Sequence, residues 1–278
     1  MSSQSRIICL LTDFGLRDGY VASIKGVILS IAPHVTIVDI SHEIDSFCIS
    51  SGAYVLYSVV SCFPPDTVFV AVVDPGVGTE RRAIIIESAG KVFIGPDNGL
   101  FSWILADNRA SKIFWIDPEG ISARYVNSDI SSTFHGRDIF APVAAHIASG
   151  VRVEELAIPA EGAPPVIGEW INPVADERSI TGQVVHIDKF GNIVTNITKD
   201  FYRKWQERYF HSRLPFITPV VEVKSVSMSI EKTYGCVPEG SLLALWGSSN
   251  HLEISVNKGR ASDMLSVGYL DEIRIWVL

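Results

Sequence analysis

The sequence predicts an α/β N-terminal domain with a mostly parallel sheet, followed by a smaller all-β barrel or sandwich as the C-terminal domain. Two observations lead to this fold class. In the first half of the 278 residues, apolar strand-like segments alternate with segments whose apolar residues recur at helical spacing. After a proline-rich stretch, the segments become short, β-rich and separated by turns. We therefore expect one domain over residues 1–156, a linker over 157–178 and a second domain over 179–278.

The elements of the first domain follow from local patterns. Short apolar or β-branched runs predict strands at residues 7–11, 35–40, 68–74, 83–88, 91–95 and 112–117. Helical spacing of apolar residues predicts helices at residues 19–32, 46–62, 98–107 and 138–150. The last helix ends at Gly150, as expected for a C-cap. Such alternation of strands and helices is typical of a layered α/β domain.

The second domain is predicted from six short β-rich segments. They lie at residues 181–188, 192–198, 220–230, 242–249, 251–257 and 272–278. Turn-forming residues separate them. A small barrel or sandwich is the architecture that fits such a series.

Composition argues against several classes of protein. The net charge is −8 and there is no cluster of Lys and Arg, so a nucleic-acid-binding surface is not expected. No uncharged apolar run approaches the roughly 18 residues that a membrane span requires, and the N-terminus lacks the features of a signal peptide. The four cysteines form no C-x-x-C pair, which favours a reducing compartment. We expect a cytoplasmic protein without a nucleic-acid or membrane partner.

Three acidic residues lie at or near the ends of predicted strands of the first domain, namely Asp13, Asp39 and Asp74. In open α/β sheets, ligands bind at the carboxyl ends of the strands. Asp74 opens the loop VVDPGVGTERR (72–82), whose glycines permit a sharp turn and the close approach of a ligand. The alternative is a tight turn in which Asp74 caps neighbouring amides and the two arginines of the loop are solvated.

The segment TDFGLRDGY (12–20) places Asp13 and Asp18 around a glycine before a predicted helix. A carboxylate here would accept hydrogen bonds from two ribose hydroxyls, as acidic residues do in nucleotide sites. The alternative for Asp18 is a helix N-cap. The glycine-rich loops that bind phosphate are absent from the sequence, so phosphate recognition is not supported.

Histidines offer one candidate site and no clear metal site. His135 and Arg137 directly precede the helix predicted at 138–150, in a position where binding groups commonly gather. The other histidines considered as zinc ligands, His42, His146 and His186, are scattered, and the sequence has no H-E-x-x-H motif. We therefore predict neither a metal site nor a cofactor.

In the predicted second domain, the segment DKFGNIVTN (188–196) is a polar exception among β-rich runs. Asp188 and Asn192 flank a Phe-Gly turn, and SVNKGRAS (255–262) forms a second polar turn. Both turns are candidate binding loops, although Asp and Asn also favour turns for purely local reasons.

Taken together, five motifs give a more specific indication. In chain order they are TDFGLRDGY (12–20), VVDPGVGTERR (72–82), GPDNGLF (95–101), TFHGRDIFAP (133–142) and DKFGNIVTN (188–196). In this order they resemble the S-adenosylmethionine hydroxide adenosyltransferases, the water-using relatives of the fluorinating and chlorinating enzymes. The resemblance spans nearly the whole chain and implies hydrolysis of S-adenosyl-L-methionine to adenosine and L-methionine.

The resemblance also implies catalytic residues. The Asp-Arg-His set of the hydrolysing members falls on Asp74, Arg81 and His135. Halogenating relatives have a tyrosine in place of Asp74, within a threonine-rich loop, so this sequence resembles the hydrolysing group. Two alternatives stay open, a halide-dependent reaction on the same substrate and a non-catalytic nucleoside-binding protein. A metal-dependent phosphohydrolase is a more distant one.

Binding residues and assembly are implied in the same way. Asp13 would hold the ribose hydroxyls, and Asp188 and Asn192 would hold the amino and carboxyl groups of the methionine part. Ser248 and Asn257 would contact the adenine. The resemblance implies a homotrimer in which each site lies between the N-terminal domain of one subunit and the C-terminal domain of the next.

Overall fold

The computed structural model describes residues 6–108, 110–210 and 218–277. The chain divides into two compact units, the first ending at Gly168 and the second beginning at Glu169. This division lies inside the linker predicted at 157–178, and the exact domain bounds stay a prediction.

The first unit has the predicted alternation of strands and helices. Its strands are β1 (Ile7–Thr12), β2 (Thr36–Ser41), β3 (Val68–Val72), β4 (Ala83–Ser88), β5 (Lys91–Pro96), β6 (Lys112–Ile116) and β7 (Ile158–Pro159). Its α-helices are α1 (Tyr20–Ile31), α2 (Ile49–Val60), α3 (Ser102–Asp107), α4 (Ala141–Ala148) and α5 (Val153–Leu156). A π-helix, Gly136–Phe140, leads directly into α4, so the helix predicted at 138–150 begins with a wider turn.

These strands form one sheet in the order β2-β1-β3-β5-β4-β6-β7. The pairs β2–β1, β1–β3 and β3–β5 are parallel, and the remaining pairs are antiparallel. The change of direction follows from the two-residue turn Ala89-Gly90 between β4 and β5, whose φ angles of 49° and 73° suit a tight hairpin. The predicted layered α/β domain is confirmed. Its parallel strands bring the residues after β1 and β3 to the same edge of the sheet.

A continuous apolar core holds this edge in place. The sequence of β3 is buried along its whole length, as expected for a central parallel strand. Helices α1 and α4 cover one face of the sheet, and residues such as Ile24, Ile28 and Val143 are almost completely inaccessible. Each Å² of apolar surface that is removed from water stabilises the fold by about 25 cal/mol. This core therefore holds the strand ends, and the polar loops that follow them, in place.

The second unit is a closed barrel. Its strands are β8 (Val174–Ala175), β9 (Ser179–Ile187), β10 (Ile193–Thr198), β11 (Pro219–Val223), β12 (Val226–Glu231), β13 (Leu242–Trp246), β14 (His251–Val256) and β15 (Glu272–Val277). Its helices are α6 (Lys199–Phe210) and α7 (Ala261–Leu265). The sheet runs β10-β14-β13-β12-β11-β15-β9-β8, and an additional β10–β9 pairing closes seven strands into the barrel. The choice between barrel and sandwich is therefore settled as a barrel.

Two features of the second unit differ from the sequence prediction. The single β segment expected at 220–230 is a hairpin of β11 and β12, because Lys224 and Ser225 adopt positive φ angles of 46° and 66° and turn the chain. Helix α6 was not predicted. Half of the residues of this helix are charged, and it buries only Tyr202 and Trp205.

Within the described residues, no helix is long and apolar enough to cross a membrane. In the same part of the chain, His, Cys, Asp and Glu side chains do not gather in a group of three or more that would hold a metal ion. All four cysteines are unpaired, and burial raises the pKa of the Cys9 thiol to about 12. Cys9 is therefore an inert core residue.

Candidate active site

A cavity of about 540 Å³ opens at the carboxyl edge of the parallel strands in the first unit. Its wall is built from the ends of β1 and β3, the segment before α2 and the segment that leads into the π-helix. The lining residues are Asp13, Phe14, Tyr20, Ser46, Phe47, Val72, Asp74, Val77, Ser131, Thr133, Phe134, His135, Gly136 and Arg137. The sequence-predicted residues Asp13, Asp74 and His135 thus share one cavity.

Asp74 and Arg81 form a nearly buried ion pair within one loop. The side chains of Asp74 and Arg81 are 5% and 10% exposed. Arg81 Nε donates to both carboxylate oxygens of Asp74, at 3.0 and 2.9 Å, and Arg81 Nη2 donates to Oδ2. The guanidinium also lies over the ring of Phe140, 5.4 Å from its centroid. The alternative of solvated arginines is wrong for Arg81, and the carboxylate of Asp74 is fixed in one orientation.

His135 joins this pair through the same guanidinium. Arg81 Nη2 lies 2.9 Å from Nδ1 of His135. An arginine has no acceptor, so Nδ1 must accept, and the proton of the neutral imidazole resides on Nε2. Burial, and then the positive charge of Arg81, lower the pKa of His135. The residue is consequently a neutral histidine that presents an N–H donor.

Asp13 lies across the cavity, at the end of β1. Its Oδ2 accepts a hydrogen bond from the backbone N–H of Phe47 at 2.9 Å. Burial raises the pKa of Asp13, and the nearby negative charge of Asp74 adds to that effect. No described arginine or lysine pairs with Asp13 in a salt bridge, so its charge is available to a ligand.

Aromatic side chains form the part of the wall that sequence reasoning missed. Phe14, Tyr20 and Phe134 pack edge to face, with ring centroids 5.3 to 6.0 Å apart. Phe14 and Phe134 lie inside two of the polar motifs, and a phenylalanine beside polar strand-end residues was an available signal. Phe47 gave no such signal, because its positive φ of 67° is unusual for a residue with a side chain.

Several other candidates lie elsewhere in the first unit. Asp39 belongs to β2 and pairs with Lys25 at 2.6 Å and with the imidazole of His42 at 3.2 Å. Asp18 is exposed and makes no capping hydrogen bond to α1, so its interpretation as an N-cap is wrong. His146 packs against Tyr125 outside the cavity lining.

In the second unit, a separate cavity of about 600 Å³ contains two of the four predicted binding residues. Its lining includes Asn192 and Asn257. Asp188 does not line this cavity but contacts Asn192. Its Oδ1 accepts hydrogen bonds from the backbone N–H groups of Phe190 and Asn192, and its Oδ2 accepts one from Nδ2 of Asn192, all at 2.9 Å. Asp188 therefore orients Asn192. Ser248 is exposed in the turn after β13 and does not line this cavity.

Three comparisons with known proteins bear on the identity of the chain. The family model described as the SAM hydroxide adenosyltransferase N-terminal domain matches residues 8–157, and the model of the C-terminal domain matches residues 182–274. A protein of Methanocaldococcus jannaschii named (R)-S-adenosyl-L-methionine hydrolase is 39% identical, over 97% of this chain and 95% of that protein. A fluorinase of Nocardia brasiliensis is 29% identical over 69% of this chain and 71% of its own length.

Among solved structures, an uncharacterised conserved protein of Thermotoga maritima superimposes with a TM-score of 0.84. The two chains are 37% identical, and the alignment covers 97% of this chain and 99% of the other. Both units of the fold are therefore shared with that protein. The two family models together match most of the length of this chain, which therefore belongs to the SAM hydroxide adenosyltransferase family.

Proposed function

We propose that this protein hydrolyses S-adenosyl-L-methionine to adenosine and L-methionine, with water attacking C5′ of the ribose. Full-length similarity to a named (R)-S-adenosyl-L-methionine hydrolase supports the reaction. The observation that carries the proposal for the site is the contiguous set of Asp74, Arg81 and His135 beside a cavity of about 540 Å³.

The reaction requires activation of water more than assistance to the leaving group. A bond forms between the water oxygen and C5′, the C5′–S bond breaks, and its electron pair goes to sulfur. Methionine leaves as a neutral thioether, so no negative charge develops there that would need an oxyanion hole. The water must lie in line with the C5′–S bond, about 3 Å from the carbon. One proton of the water must go to a base and then to solvent.

Asp74 is the base that this geometry supports. Each carboxylate oxygen has two lone pairs, so Asp74 retains acceptor capacity after Arg81 has donated to it. His135 is less suited to accept the proton, since Nδ1 is occupied by Arg81 and Nε2 carries hydrogen. We assign His135 to orienting the nucleophile or the ribose by donation from Nε2. Arg81 holds Asp74 and His135 in position.

Substrate contacts complete the proposal. Asp13 binds the ribose hydroxyls, and its negative charge, which no lysine or arginine of the described residues pairs with, favours a cationic sulfonium in the same cavity. Asn192, held by Asp188, binds the amino and carboxyl groups of the methionine part. Asn257 contacts the adenine, and for Ser248 only the family resemblance supports a contact with that base.

The substrate form and the assembly are also part of the proposal. The sulfonium sulfur has three different substituents and is a stereocentre, and the name of the Methanocaldococcus relative specifies the (R) form. We extend that preference to this chain. We further propose a cytoplasmic homotrimer with sites between subunits. Light scattering after size-exclusion chromatography would measure the mass, and a monomer that turns over substrate would contradict the trimer.

One experiment distinguishes hydrolysis from its alternatives. Purified protein is incubated with S-adenosyl-L-methionine of the (R) sulfonium configuration in halide-free buffer, and the products are separated by chromatography. We expect adenosine and methionine in equal amounts, with unchanged yield in the presence of a chelator. Parallel samples contain fluoride or chloride. Formation of a 5′-halogenated adenosine would favour the halogenase alternative, and recovery of intact substrate would favour a binding protein.

A further inference from the structure

Asp138 is a buried carboxylate close to the candidate active site that the proposed mechanism does not use. It lies in the π-helix that follows His135 and is 1% exposed. Its Oδ1 accepts Arg137 Nε at 2.7 Å and Asn127 Nδ2 at 2.6 Å, and its Oδ2 accepts Arg137 Nη2 at 2.8 Å and Ser131 N at 3.0 Å. Four donors compensate the cost of burying the charge.

These hydrogen bonds hold one segment of the chain at three points. Asn127 lies at its beginning, Ser131 in its middle and Arg137 at its end. The backbone carbonyl of Asp138 adds a fourth attachment, because it accepts the N–H of Asn127 at 2.9 Å. The segment between these points forms one wall of the cavity and includes His135. The carboxylate of Asp138 therefore ties this wall to the π-helix at more than one point.

The position of the wall matters because His135 contacts Arg81 through a single 2.9 Å hydrogen bond. The π-helix makes the turn after His135 wider than an α-helical turn, a feature often found at functional sites. A displacement of about 1 Å in a group that positions the reacting atoms can cost about 10²-fold in rate. Residues 127–134 are in neither helix nor strand, so an attachment of this kind is needed to hold their geometry.

We infer that Asp138 is a positioning residue, which fixes the segment 127–137 so that His135 keeps its contact with Arg81 and faces the cavity. This inference rests on the proposed hydrolysis. Asp138 itself does not line the cavity, so it acts through His135 and the wall rather than on the substrate.

The test is the Asp138→Asn variant, which removes the charge and keeps the size. We expect kcat to fall about 10- to 100-fold, by more than KM rises, because the reacting geometry is lost while the binding residues remain. Asp97→Asn is the matched control. Asp97 is 6% exposed, pairs with Arg82 at 2.7 and 3.0 Å and accepts the N–H of Val166, outside the cavity. It should lower the melting temperature and leave kcat within about twofold. A similar loss of kcat in both variants would overturn the inference, as would an unchanged kcat in Asp138→Asn.

A double variant separates positioning from general disruption. In a His135→Ala background, Asp138→Asn should lower kcat by less than about threefold, because the residue through which it acts is gone. An equal factor in both backgrounds would contradict the inference. If Asp138→Asn does not fold, Asn127→Ala is used instead. Asn127 is half-buried, and its loss removes one of the four hydrogen-bond donors to the carboxylate of Asp138, so we expect about a 3- to 10-fold lower kcat. An unchanged kcat in that variant would likewise contradict it.

A readout independent of turnover distinguishes failure of the inference from failure of the proposed function. The imidazole nitrogens of His135 are observed by ¹⁵N NMR in the wild type and in Asp138→Asn. The wild type should show an unprotonated Nδ1, and the variant a mixture of tautomers as the contact with Arg81 is released. Identical spectra would overturn the inference even if the protein hydrolysed no S-adenosyl-L-methionine, which by itself would count only against the proposed function.

Discussion

The guanidinium of Arg81 donates a hydrogen bond to Nδ1 of His135 across 2.9 Å. Because the same guanidinium holds both carboxylate oxygens of Asp74, one side chain determines the orientation of the proposed base and the tautomer of the histidine. These residues lie in two segments that are 54 positions apart in the sequence. The arrangement predicts how each member responds to substitution.

Arg81→Lys should nearly abolish hydrolysis although the charge is retained. A lysine ammonium cannot reproduce the planar set of donors that reaches both Asp74 and His135. We expect kcat to fall by about 10²-fold, the usual cost of a lost preorganised donor. Arg82→Lys is the matched control, since Arg82 pairs with Asp97 and lies over Trp115 instead. Steady-state kinetics would compare them, and equal losses in the two variants would contradict a special role for Arg81.

Asp74→Asn should remove the base and leave the shape of the site intact. The amide oxygen still accepts from Arg81, but the amide does not take a proton from water at neutral pH. We expect adenosine release to slow by about 10²-fold or more, with a small change in KM. Single-turnover measurement of adenosine formation tests this. Turnover close to that of the wild type would show that another group accepts the proton.

How much of this site is predictable from sequence depends on how far apart in the sequence its residues lie. The residue pattern alone pointed to Asp74 at a strand end and to His135 before a helix, whereas Arg81 was assigned only through the family resemblance. The grouping of His135 with Asp74 and Arg81 needed the family resemblance, because a contact between two distant loops depends on the strand order and on α4. The acceptor role of its Nδ1 required atomic positions.

Backbone conformation limits the prediction in a different way. Phe47 reaches the cavity through a left-handed backbone conformation, and Lys224 and Ser225 turn a predicted strand into a hairpin in the same conformation. Residues with side chains seldom adopt it, and tertiary contacts decide where they do. Helix α6 was missed because two aromatic residues, Tyr202 and Trp205, bury against the barrel core while most of its other residues are polar.

Asp188→Ala should affect binding more than chemistry. Loss of its carboxylate frees the amide of Asn192 and the turn at Phe190, and we expect KM to rise about tenfold with kcat little changed. Asp176→Ala is a matched control in the same unit, since Asp176 also accepts two backbone N–H groups in a turn, from Arg178 and Ser179. Isothermal titration with a non-reactive substrate analogue gives the affinity directly. A KM effect of the same size in Asp176→Ala would point to general loosening of the barrel.

The pH dependence follows from the lowered pKa of His135. Protonation would place hydrogen on Nδ1, which then cannot accept from Arg81 and would face a second positive charge. The unfolded chain binds this proton near pH 6.5 and the folded chain only at lower pH. The contribution of His135 to stability is therefore present above about pH 6.5 and is lost as the pH falls through the folded pKa. We expect kcat and the free energy of unfolding to decline together in that window.

Burial also lowers the pKa of His146 and His251, so the stability profile alone does not identify His135. The profile of kcat excludes these two histidines as the source of its decline, because neither of them lines the cavity. His146→Phe should retain the acid decline of kcat. A decline that disappears in His146→Phe would show that the wrong histidine has been assigned.

Gly78→Ala should damage the site through the contact between its two main loops. Gly78 has a φ of 76°, and a Cβ atom there would overlap the carbonyl oxygen of Ser132, in the segment that carries His135. Gly162→Ala is the matched control, because Gly162 has a φ of 75° and open space around the added atom. Each substitution should cost about 1–3 kcal/mol of unfolding free energy from backbone strain. Only Gly78→Ala should also lower kcat, since it separates Arg81 from His135. Urea denaturation and steady-state kinetics measure both effects, and equal kcat values in the two variants would mean that the contact with Ser132 does not control the geometry of the site.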